Sequence, residues 1–232
     1  MAKGSATEGP ALVVWGDSHA DQLKPLFIET GSKNGLRVME LSFPGCPLIP
    51  GVQRRDVSGV DCSENDRVLE YLLSDRSIEL VILHAYWQHY IDGRNAYLLG
   101  EGIESGLRRL VSRLSEAGKD IILIGPVPKH PVNPRLFMAK AALFGESYSS
   151  TLSREHYLDE IRKSRAVLSS LASTLANVKL FDHGDFICET KTCRIESEGS
   201  IFYRDSNHLS PAAGVILEDP LNSIVGELSH RE

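Results

Sequence analysis

The chain has 232 residues, 42% of them hydrophobic, and a formal net charge of −6. That length builds one sizeable α/β core and leaves little for a second. The mild acidity argues against nucleic acid held on a general basic surface, and no apolar run reaches the ~18 residues that suggest a membrane span.

Residues 1–10, MAKGSATEGP, are small and polar and read as a linker or an appended start, ahead of a single domain over 11–232. ALVVWG (11–16) predicts a first strand, and SHADQLKPLFIETGSKNG (18–35) a helix closed by Gly35. LRVMELS (36–42) is a second strand, followed by a loop-like stretch over 43–62. ENDRVLEYLLSD (64–75) predicts a helix and IELVILHAY (78–86) a third strand. ESGLRRLVSRLSEAG (104–118) is a strongly amphipathic helix, and DIILIGPVP (120–128) a fourth strand. An excursion with prolines in its approach covers 129–150. SREHYLDEIRKSRAVLSSLASTLA (153–176) predicts one long helix and VKLFDH (178–183) a fifth strand. SPAAGVILEDPLNSIVGEL (210–228) closes the chain as a helix with Pro211 suited to its first turn.

The strand runs are continuously apolar rather than alternating, as in strands covered on both faces of a parallel sheet. With strands and helices alternating along the chain, the expected fold is a three-layer α/β/α sandwich around a mainly parallel sheet. In such sheets reactive groups gather beyond the carboxyl ends of the strands.

The four cysteines form two local sets, Cys46 with Cys62 and Cys188 with Cys193, each in polar, turn-rich sequence. This pattern suggests disulfides and an oxidising compartment, although three pairings remain open. Closing the 46–62 loop would stabilise by roughly 3 kcal/mol in the chain-entropy account. No CxxC spacing supports a zinc site, and no cofactor or metal constellation is present.

Ser18, in GDSH, stands just past the first predicted strand. A serine is weakly nucleophilic until a base takes its proton. Neighbouring side chains on such a turn diverge, so His19 is not expected to be that base. In RDSNHLS near the far end, Asp205 and His208 are three residues apart and share a face if the stretch turns helically. Asp205 would then hold Nδ1 of His208 and leave Nε2 for Ser18, the division of labour of a Ser–His–Asp triad. Asp17 is expected to cap the following helix or hold the turn. His84, Gln88, His89 and Tyr90 are candidates for lining the site, with packed structural roles as the alternative. His183 and Asp185 at the site edge, and Lys129 and His130 near a substrate, carry less weight.

GDSH paired with DxxHLS resembles the SGNH hydrolase superfamily over nearly the whole chain, from Val13 to about Gly226. WGDSHA, FPGCPLI, LHAYWQHY and RDSNHLSPAAG are most similar to the SGNH domains fused to acyltransferase-3 membrane proteins, which O-acylate bacterial envelope glycans. The resemblance implies the SGNH, flavodoxin-like fold, with Ser18 as nucleophile, His208 as base and Asp205 as its orienter. It implies an oxyanion hole of the Ser18 backbone N–H, a glycine N–H, assigned to Gly45, and an asparagine side chain. This chain departs at the last: Trp87 stands where the asparagine is expected, and its indole N–H is a substitute donor or else a packed aromatic.

The resemblance further implies a periplasmic or extracytoplasmic domain tethered to the inner membrane. Its partners would be an acyltransferase-3 transmembrane domain of the same polypeptide as acyl source and a glycan acceptor such as lipopolysaccharide O-antigen. Acetyl transfer through a Ser18 acyl-enzyme is the first functional reading. The alternatives are a carbohydrate esterase using water, and a glycan-binding module with a weakened site.

Overall fold

The computed structural model describes residues 11–52, 61–92, 102–145 and 152–229. The expected linker over 1–10 lies outside these, as do parts of the 43–62 and 129–150 stretches.

Five strands form one parallel sheet: β1 (Ala11–Gly16), β2 (Arg37–Ser42), β3 (Ile78–His84), β4 (Asp120–Ile124) and β5 (Val178–Phe181), in the order β2-β1-β3-β4-β5. That is the doubly wound order in which ligands bind where the strand sequence reverses, between β1 and β3. The register places Gly16 of β1 beside His84 of β3 at that point.

Side chains alternate between the two faces of each strand. Leu12, Val14, Leu80, Ile82, Ile122 and Ile124 enter one core. It is covered by α2 (Lys24–Lys33), α6 (Arg154–Glu160) and α9 (Gly214–Ser229) through residues such as Phe27, Tyr157 and Leu221. Val13, Trp15, Val81, Leu83, Ile121 and Leu123 enter the other core. Here α3 (Glu64–Ser74), α4 (Gly102–Glu116) and α7 (Arg162–Thr174) supply Leu72, Leu110 and Leu168. The three-layer α/β/α sandwich expected from the sequence is therefore present.

Two expected helices are broken. The helix expected over 18–35 divides into α1 (Ser18–Asp21) and α2, which restarts with Pro25 in its first turn. The helix expected over 153–176 divides at Ile161. Tyr157 and Ile161 pack into one core while Val167, Leu168 and Leu171 pack into the other. One straight helix cannot serve both faces of the sheet, so the chain bends as it passes from one to the other. A two-stranded ribbon of β6 (Glu196–Ser197) and β7 (Ser200–Ile201) was not legible in sequence because each strand has two residues. The excursion after β4 contains α5 (Pro134–Phe144), and α8 (Gly184–Ile187) follows β5.

Both local cysteine sets are disulfides: Cys46–Cys62 and Cys188–Cys193. The first ties the loop after β2 to the approach of α3.

Candidate functional site

The site is built where β1 ends. A Cβ on Gly16 would lie 2.2 Å from the Ala20 Cβ and 2.2 Å from the His84 carbonyl oxygen, so this tight strand-to-helix turn admits only glycine. Asp17 caps α1 as expected: its Oδ1 accepts from the His19 N–H at 2.7 Å. Its Oδ2 accepts from the Tyr86 N–H at 3.1 Å and the Tyr90 hydroxyl at 2.6 Å, so Asp17 also clamps the end of β3 against the turn. Burial pushes the Asp17 carboxyl up, although these donors pull it down.

Ser18 Oγ lies 2.9 Å from His208 Nε2. His208 Nδ1 lies 2.9 Å and 3.1 Å from the two carboxylate oxygens of Asp205. The three residues expected to act together are therefore brought together. The expected helical turn is not what joins the last two. Residues 203–208 form an irregular turn in which Asp205 Oδ1 accepts the backbone N–H groups of Asn207 at 3.0 Å and His208 at 2.8 Å. An aspartate holding its own backbone two and three residues ahead is an ordinary turn device, and it also aims the carboxylate at the ring. Partial burial raises the Asp205 carboxyl, but the two N–H donors and His208 outweigh it and leave it below its ordinary value. Asp205 is thus an anion at neutral pH, suited to hold Nδ1–H and stabilise an imidazolium.

Gln22, just after α1, was missed in the sequence. Its Oε1 accepts the Leu209 N–H at 2.6 Å, fastening the helix that carries Ser18 to the turn that carries His208. A glutamine four residues after the serine was the only signal. The same turn is held by Ser206, whose carbonyl accepts the His130 N–H at 2.8 Å.

His19 is not placed as the base. It is 1% exposed, its ring stacks on Tyr86 at 4.6 Å and lies 4.8 Å from the His208 ring. Burial, then the nearby His208, push its imidazole well below the usual range, so it packs as a neutral ring behind the triad.

Several sequence expectations are corrected. The Trp87 indole N–H donates to the Ile124 carbonyl at 2.8 Å, and the side chain is fully buried in the core of β3 and β4. It is a packed aromatic with a satisfied donor and cannot serve an oxyanion. Gln88 donates from Nε2 to the Val127 carbonyl at 3.1 Å and is buried, so it holds the strand-four exit rather than lining an open site. His84 is wholly buried, between the rings of His19 and His183, and does not line the site surface. His183 is buried with Nδ1 against the Gly125 carbonyl, and Asp185 pairs with Arg154 and Arg165 on the surface. His130 is buried edge-on to Tyr203, while Lys129 faces Glu160 at 3.8 Å. Tyr90 takes the structural alternative through Asp17.

Gly45 adopts φ 76° in a turn where the Cys46 N–H meets the Phe43 carbonyl. The Phe43 N–H donates to the Gly16 carbonyl at 2.8 Å. The loop bearing Gly45 thus leaves from beside the turn that carries Ser18 and is closed by the Cys46–Cys62 bridge. Among the described residues, no three His, Cys, Asp or Glu side chains converge as a metal site.

The chain matches the family described as "SGNH domain (fused to AT3 domains)" over residues 2–222. Its fold is similar to the periplasmic domain of a lipopolysaccharide acetyltransferase from Salmonella ser. Paratyphi A, with a TM-score of 0.71 at 17% identity, covering 94% of this chain and 84% of that one. It is also similar to Est24, a carbohydrate acetylesterase from Sinorhizobium meliloti, with a TM-score of 0.57 at 15% identity over 94% and 99% of the two chains. The native aryl esterase of M. smegmatis gives a TM-score of 0.57 at 16% identity over 95% and 100%. No curated protein matches the chain.

Proposed function

The chain belongs to the family of SGNH domains fused to AT3 domains, and from that premise we propose that it transfers an acyl group, acetyl in the first instance, through Ser18 onto a hydroxyl of a bacterial envelope glycan. The observation that carries the reading is the 2.9 Å contact between Ser18 Oγ and His208 Nε2, backed by Asp205 on Nδ1.

His208 takes the Ser18 proton as Oγ attacks the acyl carbonyl. The resulting oxyanion is held by the backbone N–H groups of Ser18 and Gly45, without a side-chain donor from position 87. Its collapse expels the donor's oxygen, which leaves with the proton from His208, and an ester remains on Ser18. A glycan hydroxyl then gives its proton to His208 and attacks that ester, and the proton returns to Ser18 as the product departs. The acyl donor is supplied by the AT3 domain to which such domains are fused.

An extracytoplasmic setting is supported by the two disulfides, which persist in oxidising compartments. The Salmonella neighbour's description as a lipopolysaccharide acetyltransferase domain supports lipopolysaccharide as the acceptor class. Among the described residues no helix is long and apolar enough to cross a membrane.

Hydrolysis is the second reading, favoured by the 38% exposure of the Asp205 side chain, which leaves the triad open to water. One experiment addresses both. Acid quenching after incubation with p-nitrophenyl acetate should trap one acetyl on Ser18, and Ser18→Ala should show none. Adding glycan acceptor should divert the acetyl from acetate to acetylated sugar. An adduct that persists in Ser18→Ala would overturn the nucleophile, while release only as acetate with every acceptor would leave an esterase.

A further inference from the structure

Helix α5 carries a surface that the triad does not use, and we propose that it is a docking face for an anionic lipid bilayer. The helix is well bounded. Asn133 accepts the Leu136 N–H at its start, Pro134 occupies its first turn, and Gly145 closes it at φ 69°. It packs on the domain through Pro134, Met138 and Ala141. At about 100° per residue, Leu136 and Leu143 point directly away from that packed side. They are 55% and 79% exposed, and Phe144 beside them is 74% exposed. Val132, in the approach to the helix, is also exposed.

Charge decides the occupant. From Lys129 to Phe144 there is no Asp or Glu, in a chain whose net charge is −6. Arg135 and Lys140 flank the leucine crest on its two sides, and neither pairs with an acidic group among the described residues. An outward apolar crest between basic flanks is the pattern of a helix that lies in the headgroup layer of an acidic bilayer, apolar side chains inserted and cations at the phosphates. A protein partner would be expected to meet a more mixed rim. The root of the helix is also tied to the site, since the His130 N–H holds the Ser206 carbonyl between Asp205 and His208. The approach to α5 is therefore joined to the turn that carries Asp205 and His208.

The proposal does not depend on the catalytic reading, and its test keeps the two apart. The 232-residue chain is sedimented with vesicles of phosphatidylglycerol and phosphatidylcholine, and with phosphatidylcholine alone. Binding is expected only to the anionic vesicles and should weaken in high salt. Leu143→Asp with Phe144→Asp should weaken it about 10-fold or more, as should Arg135→Glu with Lys140→Glu. Ser18→Ala should bind like the parent. Circular dichroism and p-nitrophenyl acetate turnover, unchanged in both double variants, establish that each is folded. Equal binding by parent and both variants, or no binding to either vesicle, overturns the proposal. So does a concentration-dependent dimer abolished by the Leu143/Phe144 pair without vesicle binding, which would make the crest a contact between copies.

Discussion

Ser18 and His208 are separated by 190 positions in the chain and by 2.9 Å between Oγ and Nε2. The contact is not left to the side chains alone. Gln22 joins the serine's helix to the histidine's turn, and Asp205 fixes both that turn's backbone and the ring's Nδ1.

The dual task of Asp205 separates tautomer from turn. In Asp205→Asn the amide oxygen can keep the backbone contacts while losing the charge that favours Nδ1–H and its imidazolium. Ester turnover should fall about 10³–10⁴-fold with the fold intact. The check is kcat for p-nitrophenyl acetate alongside a thermal melt. A loss under 10-fold would show that Asp205 orients nothing of catalytic weight.

Trp87 is the position where sequence and structure part, and it can be tested directly. Trp87→Phe removes the donor that satisfies the buried Ile124 carbonyl. Stability should drop by about 1–3 kcal/mol. Turnover should change less than 10-fold, whereas an oxyanion donor would cost about 10²–10³. Urea denaturation paired with steady-state kinetics distinguishes the two patterns.

Acid should weaken the domain well above the carboxylate range. Burial lowers His130 and His183 to about 4, from 6.5 for an ordinary imidazole. His19 and His84 are pushed in the same direction. Between those values the unfolded chain binds protons that the folded chain refuses. This contribution is therefore complete above about pH 6.5 and is lost as pH falls toward 4, at up to about 1.4 kcal/mol per pH unit for each group. Asp17, raised by burial, works in the opposite sense and offsets part of the loss. Urea midpoints should be clearly lower at pH 5 than at pH 7. The difference should shrink in His130→Leu, because neither ring nitrogen of His130 has a partner among the described residues.

The Cys46–Cys62 bridge closes the loop that presents Gly45. Replacing both cysteines by serine should cost about 3 kcal/mol, lowering Tm by roughly 6–12 °C. Reduction opens Cys188–Cys193 as well, so it should lower Tm in the double variant too, and by a larger amount in the parent, as read by calorimetry.

Local sequence was enough for the strands, because β1, β3 and β4 are continuous Val, Ile and Leu runs whose burial does not depend on which helix covers them. It was enough for the glycine turn and the Asp17 cap, which act within a few residues. It also presented Ser18, Asp205 and His208 as complementary chemistry at opposite ends of the chain. What it did not contain was direction across the sheet. Ile161 breaks a helix only because Tyr157 and Leu168 belong to different cores. Trp87 donates inward only because Ile124 of the adjacent strand ends beside it. His84 is covered only because β3 ends beneath two other histidine rings. Residue type and spacing determined which groups were available. Strand order and burial decided which of them face the reaction, since a donor's partner is set by whatever the fold packs against it.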